Sequence, residues 1–182
     1  MIPYGRQSID EEDIASVLKV LRSDLITQGP IPDLFEKEVS NLVNSNFAVV
    51  TNSATSSLLV SCLSLGLEKG DYLWTSPNSF VASANCALHC GAQIDFVDID
   101  LDTGNISLEK LKEKLETAKK ENKLPKIIIP VHFAGQPTDQ EEIWKLSKEY
   151  DFKIIEDASH SLGAKHMGEK VDEGKLTKIF RY

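Results

Sequence analysis

Lys153-Ile-Ile-Glu-Asp-Ala-Ser-His-Ser-Leu-Gly163 is the run on which the reading of the fold turns. Ile154-Ile155 is a short apolar segment without polar alternation, the pattern of a strand covered on both faces. It delivers Asp157 where such a strand should end, and His160 three residues later. In open α/β sheets ligands sit in the crevice beyond the carboxyl ends of the strands. A carboxylate buried there is costly unless something positive faces it. Asp157 is therefore either the partner of a cationic ring nitrogen or the cap of the turn after the strand, and this run alone leaves both open.

Moving outward, Lys126-Ile-Ile-Ile-Pro-Val131 reads as a second buried strand. Between the two, Thr138-Asp-Gln-Glu141 reads as a capping box for a helix with Ile143, Leu146 and Tyr150 on one face. Upstream, Phe47–Val50, Asp71–Thr75 and Ile94–Val97 read as strands. The helix after the first carries Leu59, Cys62 and Leu63 on one face and stops at Gly66. Ser79–His89 is helical with Gly91 as its C′ residue, and Ser107–Asn122 is a charged surface helix with Leu108, Leu111 and Leu115 as its apolar stripe. Nearer the start, Ser8-Ile-Asp-Glu11 reads as a capping box for a helix of about four turns with Ile14, Val17, Leu18 and Leu21 on one face. Thr27–Pro32 reads as an irregular loop because of Gly29 and two prolines, and Leu34–Val43 as the next helix. Strands separated by helices of these lengths imply an α/β fold: a three-layer, mostly parallel sheet with right-handed crossovers.

The 182 residues suffice for about one domain. A net charge of −8, with no Lys/Arg patch interleaved with aromatics, argues against nucleic acid as a partner. No apolar run is long enough to span a bilayer and no leader precedes the first helix, so no membrane partner and a cytoplasmic, reducing location are expected. Cys62, Cys86 and Cys90 have no metal-binding spacing and suit small apolar positions in or at the ends of helices. Asp98-Ile-Asp-Leu-Asp102 imitates a calcium loop, but Thr103 stands where that loop needs glycine, so a strand end plus turn is expected and no metal.

Three constellations carry chemistry. Asn52-Ser-Ala-Thr-Ser56, between a strand and a helix, is an anion site or an ordinary helix cap: small residues admit the backbone, the first helical amides lack partners, and Thr55 adds a hydroxyl. Neither GxGxxG nor a Walker lysine is present, so a dinucleotide or nucleoside triphosphate is not indicated. Phe80 is either core or a platform for a flat ring on the same sheet edge. With Asp157, these features suit a phosphorylated aromatic cation. His132 ends its strand on that side, as a ligand contact or a plain turn residue.

On these residues the chain resembles the pyridoxal-phosphate-dependent sugar-nucleotide aminotransferases of the DegT/StrS type, a fold-type I family with an aspartate-aminotransferase-like large domain. The carrying runs are Leu25-Ile-Thr-Gln-Gly-Pro, Asn52-Ser-Ala-Thr-Ser, Ser79-Phe-Val-Ala-Ser-Ala-Asn85, Phe96-Val-Asp-Ile-Asp100, Val131-His-Phe-Ala-Gly-Gln-Pro137 and Ile155-Glu-Asp-Ala-Ser-His-Ser-Leu-Gly163. The Asp-Ala-Ser-His form and the Leu25–Pro30 run are most similar to its UDP-4-amino-4,6-dideoxy-N-acetyl-β-L-altrosamine transaminase subgroup, of pseudaminic acid synthesis. The resemblance implies that Ala54 and Thr55 hold the cofactor phosphate, Phe80 stacks on the pyridine ring, Asp157 pairs with its protonated nitrogen and His160 lies against the phenolic oxygen. It implies that Thr27, Gln28 and Gly29 approach the substrate, a keto-sugar nucleotide aminated by glutamate or another amino acid, in a homodimer that shares its active sites.

The departure from the pattern lies after Val171. Members continue into a Ser-Phe-His-Pro-x-Lys-like segment whose lysine forms the Schiff base; here Asp172-Glu-Gly-Lys-Leu-Thr-Lys-Ile-Phe-Arg-Tyr182 follows, and neither Lys175 nor Lys178 has that context. The expected organisation is an N-terminal helix and loop segment (1–35), a partial cofactor-binding large domain (36–171) and an atypical tail (172–182), without the C-terminal small domain. The chain alone is expected to be an inactive N-terminal fragment. The rival expectations are a non-catalytic half completed by a second chain and a sugar-nucleotide dehydratase of the same fold.

Overall fold

The computed structural model describes residues 6–166 and 169–170. Two helices, α1 (Glu11–Leu21) and α2 (Pro30–Leu42), precede the alternating part of the chain. There α3 (Ala54–Ser64), β1 (Tyr72–Thr75), α4 (Ala82–His89), β2 (Gln93–Phe96), α5 (Leu108–Glu121), β3 (Ile127–Ile129), α6 (Gln140–Tyr150) and β4 (Lys153–Ile154) follow in order. A short antiparallel pair, β5 (Lys165–His166) and β6 (Glu169–Lys170), comes last.

The four longer-range strands form a parallel sheet in the order β2-β1-β3-β4. From β1 the chain goes out to β2, returns across β1 to β3, and continues to β4. The direction of travel thus reverses between β1 and β3, which opens a crevice at the carboxyl ends of those strands.

Strand alternation builds the three layers. Leu73, Ile127 and Ile129 point to one face, where they pack with Leu58 and Cys62 of α3 and Ala82, Cys86 and Ala87 of α4. Trp74, Ile128 and Ile154 point to the other, against Leu111 and Leu115 of α5 and Ile143, Leu146 and Tyr150 of α6. A strand covered on both sides has no polar face, which is why Ile127-Ile-Ile129 reads as a continuous apolar run. Burying each isoleucine contributes about 1.5–3 kcal/mol. Cys62 and Cys86 are buried in α3 and α4 and Cys90 caps α4, and none of the three forms a disulfide.

Several local expectations need correction. The cap of α1 is Asp10, not Ser8: its carboxylate accepts from the Glu12 and Asp13 amides while Asp13 reaches back to the Asp10 amide. Two carboxylates at the positive helix end outcompete a hydroxyl, and the helix is 11 residues long, about three turns. Pro30 and Pro32 do not exclude helix but stand in the first turn of α2, where no amide is needed. The 34–43 helix therefore starts earlier, and residue 35 lies inside it. Asp139, not Thr138, caps α6, because Thr138 is buried and turned toward His132. The helix expected from Ser79 begins at Ala82. In α3 the buried face is Leu58, Ser61 and Cys62, with Leu63 exposed. Phe47–Val50 pairs with no strand among the described residues, and Phe47 and Val49 are 86% and 79% exposed.

Asp98–Asp102 forms a strand end and turn, with the Asp100 carboxylate accepting from the Asp102 and Thr103 amides. Among the described residues no helix is long and apolar enough to cross a membrane. The tail at 172–182, with Lys175 and Lys178, lies outside the described residues.

Candidate active site

A cleft of about 560 Å³ lies at the strand reversal, a size suited to a small-molecule ligand. Each wall is a strand or helix end. The start of α3 contributes Ala54 and Thr55, the turn after β1 contributes Asn78, Ser79 and Phe80, and the segment after β3 contributes His132 and Phe133. The turn after β4 contributes Asp157, Ser159 and His160. A second hollow of about 200 Å³, lined by Phe152, Lys153 and Trp144 among others, lies where β4 begins, away from these strand ends.

Asp157 is 5% exposed. Its backbone is pinned to the strand before it: the Asp157 amide donates to the Pro130 carbonyl at 3.0 Å, and the His132 amide donates to the Asp157 carbonyl at 3.1 Å. Its side chain is held as firmly. Ser83 Oγ donates to Oδ2 at 2.6 Å and Ser159 Oγ donates to Oδ1 at 2.6 Å, with the Ser159 amide at 3.3 Å from the same oxygen. No lysine or arginine of the described residues lines the cleft. Hydroxyl and amide dipoles thus surround the carboxylate and neither lysine nor arginine among the described residues faces it in the cleft, so a positively charged donor on a ligand would complement it.

The α3 end combines a side-chain cap with open first-turn amides. Ser53, in extended conformation (φ −167°, ψ 157°), caps the helix by accepting from the Ser56 amide at 3.2 Å. Thr51 Oγ1 donates to the Ser53 carbonyl at 2.8 Å and lies 2.6 Å from Ser57 Oγ, which fixes the entry loop. The first-turn amides of Ala54 and Thr55 have no intrahelical acceptor and point their dipole outward. Phe80, 72% exposed, presents an aromatic face at the same cleft.

Behind the cleft floor, His132 and Glu156 form a buried polar pair. The Thr138 amide donates to His132 Nδ1 at 3.1 Å, so the neutral ring carries its proton on Nε2, which faces Glu156 Oε2 at 3.3 Å. Gln140 donates to the same Glu156 oxygen at 2.7 Å. His132 thus borders the cleft, while its ring nitrogens serve the turn and Glu156.

The structure brings together Ala54, Thr55, Phe80, Asp157 and His160 from three separate stretches of chain. Thr27, Gln28 and Gly29 are not among the lining residues; they form the bend into α2, with Gln28 at φ 53° and Gly29 as the N-cap. Sequence reasoning gave no role to Ser83 and Ser159, although a serine in a helix whose other buried residues are alanine and cysteine was the available signal.

The model of the DegT/DnrJ/EryC1/StrS aminotransferase family matches residues 7–181. The chain is 38% identical to the UDP-4-amino-4,6-dideoxy-N-acetyl-beta-L-altrosamine transaminase of Campylobacter jejuni (serotype O:2), over all of this chain and 47% of that protein. Among solved structures, Helicobacter pylori PseC, an aminotransferase involved in the biosynthesis of pseudoaminic acid, superposes with a TM-score of 0.87 at 34% identity, covering 98% of this chain and 47% of that one. The PLP-form of Spr1654 from Streptococcus pneumoniae gives 0.82 at 28% identity, covering 93% and 45%. The chain therefore spans less than half the length of these relatives.

Proposed function

The chain belongs to the DegT/DnrJ/EryC1/StrS aminotransferase family, whose cofactor is pyridoxal 5′-phosphate, and from that premise we propose that the cleft holds this cofactor for amino transfer to a keto-sugar nucleotide. The carrying observation is Asp157: a buried carboxylate, oriented by two hydroxyls, in one cleft with the α3 amino end. That donor set fits a ring with a protonated nitrogen at one end and a phosphate at the other. Ala54 and Thr55 would hold the phosphate, Phe80 the ring face, and His160 the phenolic oxygen. Asp157 would keep the ring nitrogen protonated, and the cofactor, when bound, supplies an electron sink for carbanion stabilisation.

The amino donor in this reading is an amino acid, glutamate first. The acceptor is the keto precursor of the sugar named for the Campylobacter relative; the 38% identity supports this choice. Thr27, Gln28 and Gly29, away from the cleft, are assigned to substrate contacts in a homodimer with shared sites. Cys62, Cys86 and Cys90 form no disulfide, which accords with a reducing cytoplasm. Since no lysine among the described residues lines the cleft, we propose that a polypeptide of these 182 residues binds the cofactor reversibly and turns over negligibly alone. That same observation favours, as the second reading, a half-site completed by another chain.

Titration of the protein with pyridoxal 5′-phosphate, followed by absorbance, tests the first reading. Saturable binding is expected, weakened at least about tenfold in Asp157→Ala by loss of a charge-assisted hydrogen bond. Absence of saturable binding, or a D157A variant that binds as well as the parent, refutes it.

A further inference from the structure

Helix α4 buries Ala82, Ala84, Cys86 and Ala87, and in their midst Ser83, only 1% exposed. An alanine would fill that place without the cost of desolvating a hydroxyl. What the hydroxyl does is donate to Asp157 Oδ2 at 2.6 Å, across 74 residues of sequence. A serine has one hydroxyl hydrogen, and this contact uses it. In the neighbouring 3.2 Å contact between Ser79 Oγ and Ser83 Oγ, Ser83 must then accept and Ser79 must donate. The proton direction along the chain is thereby fixed: Ser79 to Ser83 to Asp157. Ser79 lines the cleft with its hydrogen already committed inward, so it offers only lone pairs to a ligand.

We infer that Ser79, Ser83 and Asp157 form an oriented hydroxyl chain that makes this wall of the cleft an acceptor surface, selective for a heteroaromatic ring bearing an N–H⁺ group over a ring of the same shape without one. The inference rests on the cofactor reading above and adds to it two positioning residues, Ser83 and Ser79, which act through the Asp157 carboxylate. Ser79 polarises the Ser83 hydroxyl in series, and Ser83, as a donor to the carboxylate, holds its rotation and with it the direction of the lone pairs left for the ring N–H⁺. Ser159, on the other oxygen, closes the clamp.

The test compares two probes on the full chain: pyridoxamine 5′-phosphate and its analogue with CH in place of the ring nitrogen. Both carry the phosphate, so both depend equally on the α3 amides; only the first presents the N–H⁺ group. The parent protein is expected to favour the nitrogen-containing probe by at least about tenfold, and Ser83→Ala to reduce that preference about fivefold, through the first affinity alone. Ser79→Ala, outside the buried helix face, should reduce it about twofold, and guards against misfolding of the S83A variant. Weakening of both probes by the same factor makes Ser83 a packing residue and overturns the inference, as does an unchanged preference in both variants. Equal affinity of the parent protein for the two probes also overturns it while leaving the phosphate site standing. Binding of neither probe removes the cofactor reading itself.

Discussion

Gly135 has φ 84°, and a Cβ built on it would stand 2.8 Å from the His160 carbonyl oxygen. The loop after β3 therefore lies directly on the turn that carries Ser159 and His160, and only a residue without a side chain permits it. Gly163, with φ 78°, has nothing within 4 Å of such a Cβ. The pair makes a controlled prediction. Gly163→Ala is expected to lose only the left-handed backbone preference, about 1 kcal/mol, whereas Gly135→Ala adds a backbone clash and should cost about 2–3 kcal/mol. Denaturant melts of the two variants read the difference; equal losses would mean that the close approach to His160 contributes nothing. The same residue scale explains why Asp157 was legible in the sequence and its partners were not. A carboxylate after an apolar run announces itself, but of the two serines that orient it only Ser159 is near in sequence, and Ser83 sits 74 positions away on another element.

Among the elements, the joint between α3 and β1 is fastened by one lysine from the approach to β3. Lys126 Nζ donates to the Gly66 carbonyl at 2.6 Å and to Asp71 Oδ2 at 2.7 Å, and the Glu68 amide donates to the same carboxylate at 2.9 Å. Burial pushes the Asp71 carboxyl up, but Lys126 and the Glu68 amide outweigh it and hold the group below the usual carboxylate value. A depressed folded-state value means stability that is present above the ordinary carboxylate range and lost as pH falls through the folded value. Asp71→Asn is therefore expected to cost about 0.5–1 kcal/mol at neutral pH, the gap to the parent protein closing in acid below the ordinary range. Urea midpoints of the two proteins at neutral and acidic pH measure this, and a gap that widens in acid would contradict the assignment. Element types were readable because helices and strands have different apolar periods. Their ends were not, because which of two neighbouring polar residues caps a helix depends on what else competes for it: Thr138 lost α6 to Asp139 by turning to His132.

Across the whole molecule, the apolar faces of the first two helices have no cover among the described residues. Ile14, Val17, Leu18 and Leu21 of α1 and Leu34 and Phe35 of α2 are exposed, as are Phe47 and Val49 before α3. Exposed apolar side chains on two successive helices suit an interface, which supports the proposed homodimer. Concentration-dependent self-association is expected in sedimentation velocity. Because the chain carries a net charge of −8, added salt should strengthen it by screening like-charge repulsion. The double variant V17E/L21E should shift the equilibrium toward monomer by at least about tenfold. A parent protein that stays monomeric over the whole accessible range of concentration and salt would exclude these faces as an interface.

What the sequence by itself determined is the periodic part: alternating apolar strands and amphipathic helices, the order in which they occur, and a carboxylate and a small-residue helix start at strand ends. Those features are local, since side-chain period and turn chemistry act over a few residues. Only the tertiary structure decided which strand lies beside which, and so that β1 and β3 part at their carboxyl ends to admit Asp157 and Thr55 into one cleft. It alone decided that Phe47–Val50, strand-like in composition, pairs with none of the described strands. Strand pairing and the contact of Ser83 with Asp157 join residues far apart in the chain, and no local pattern records them.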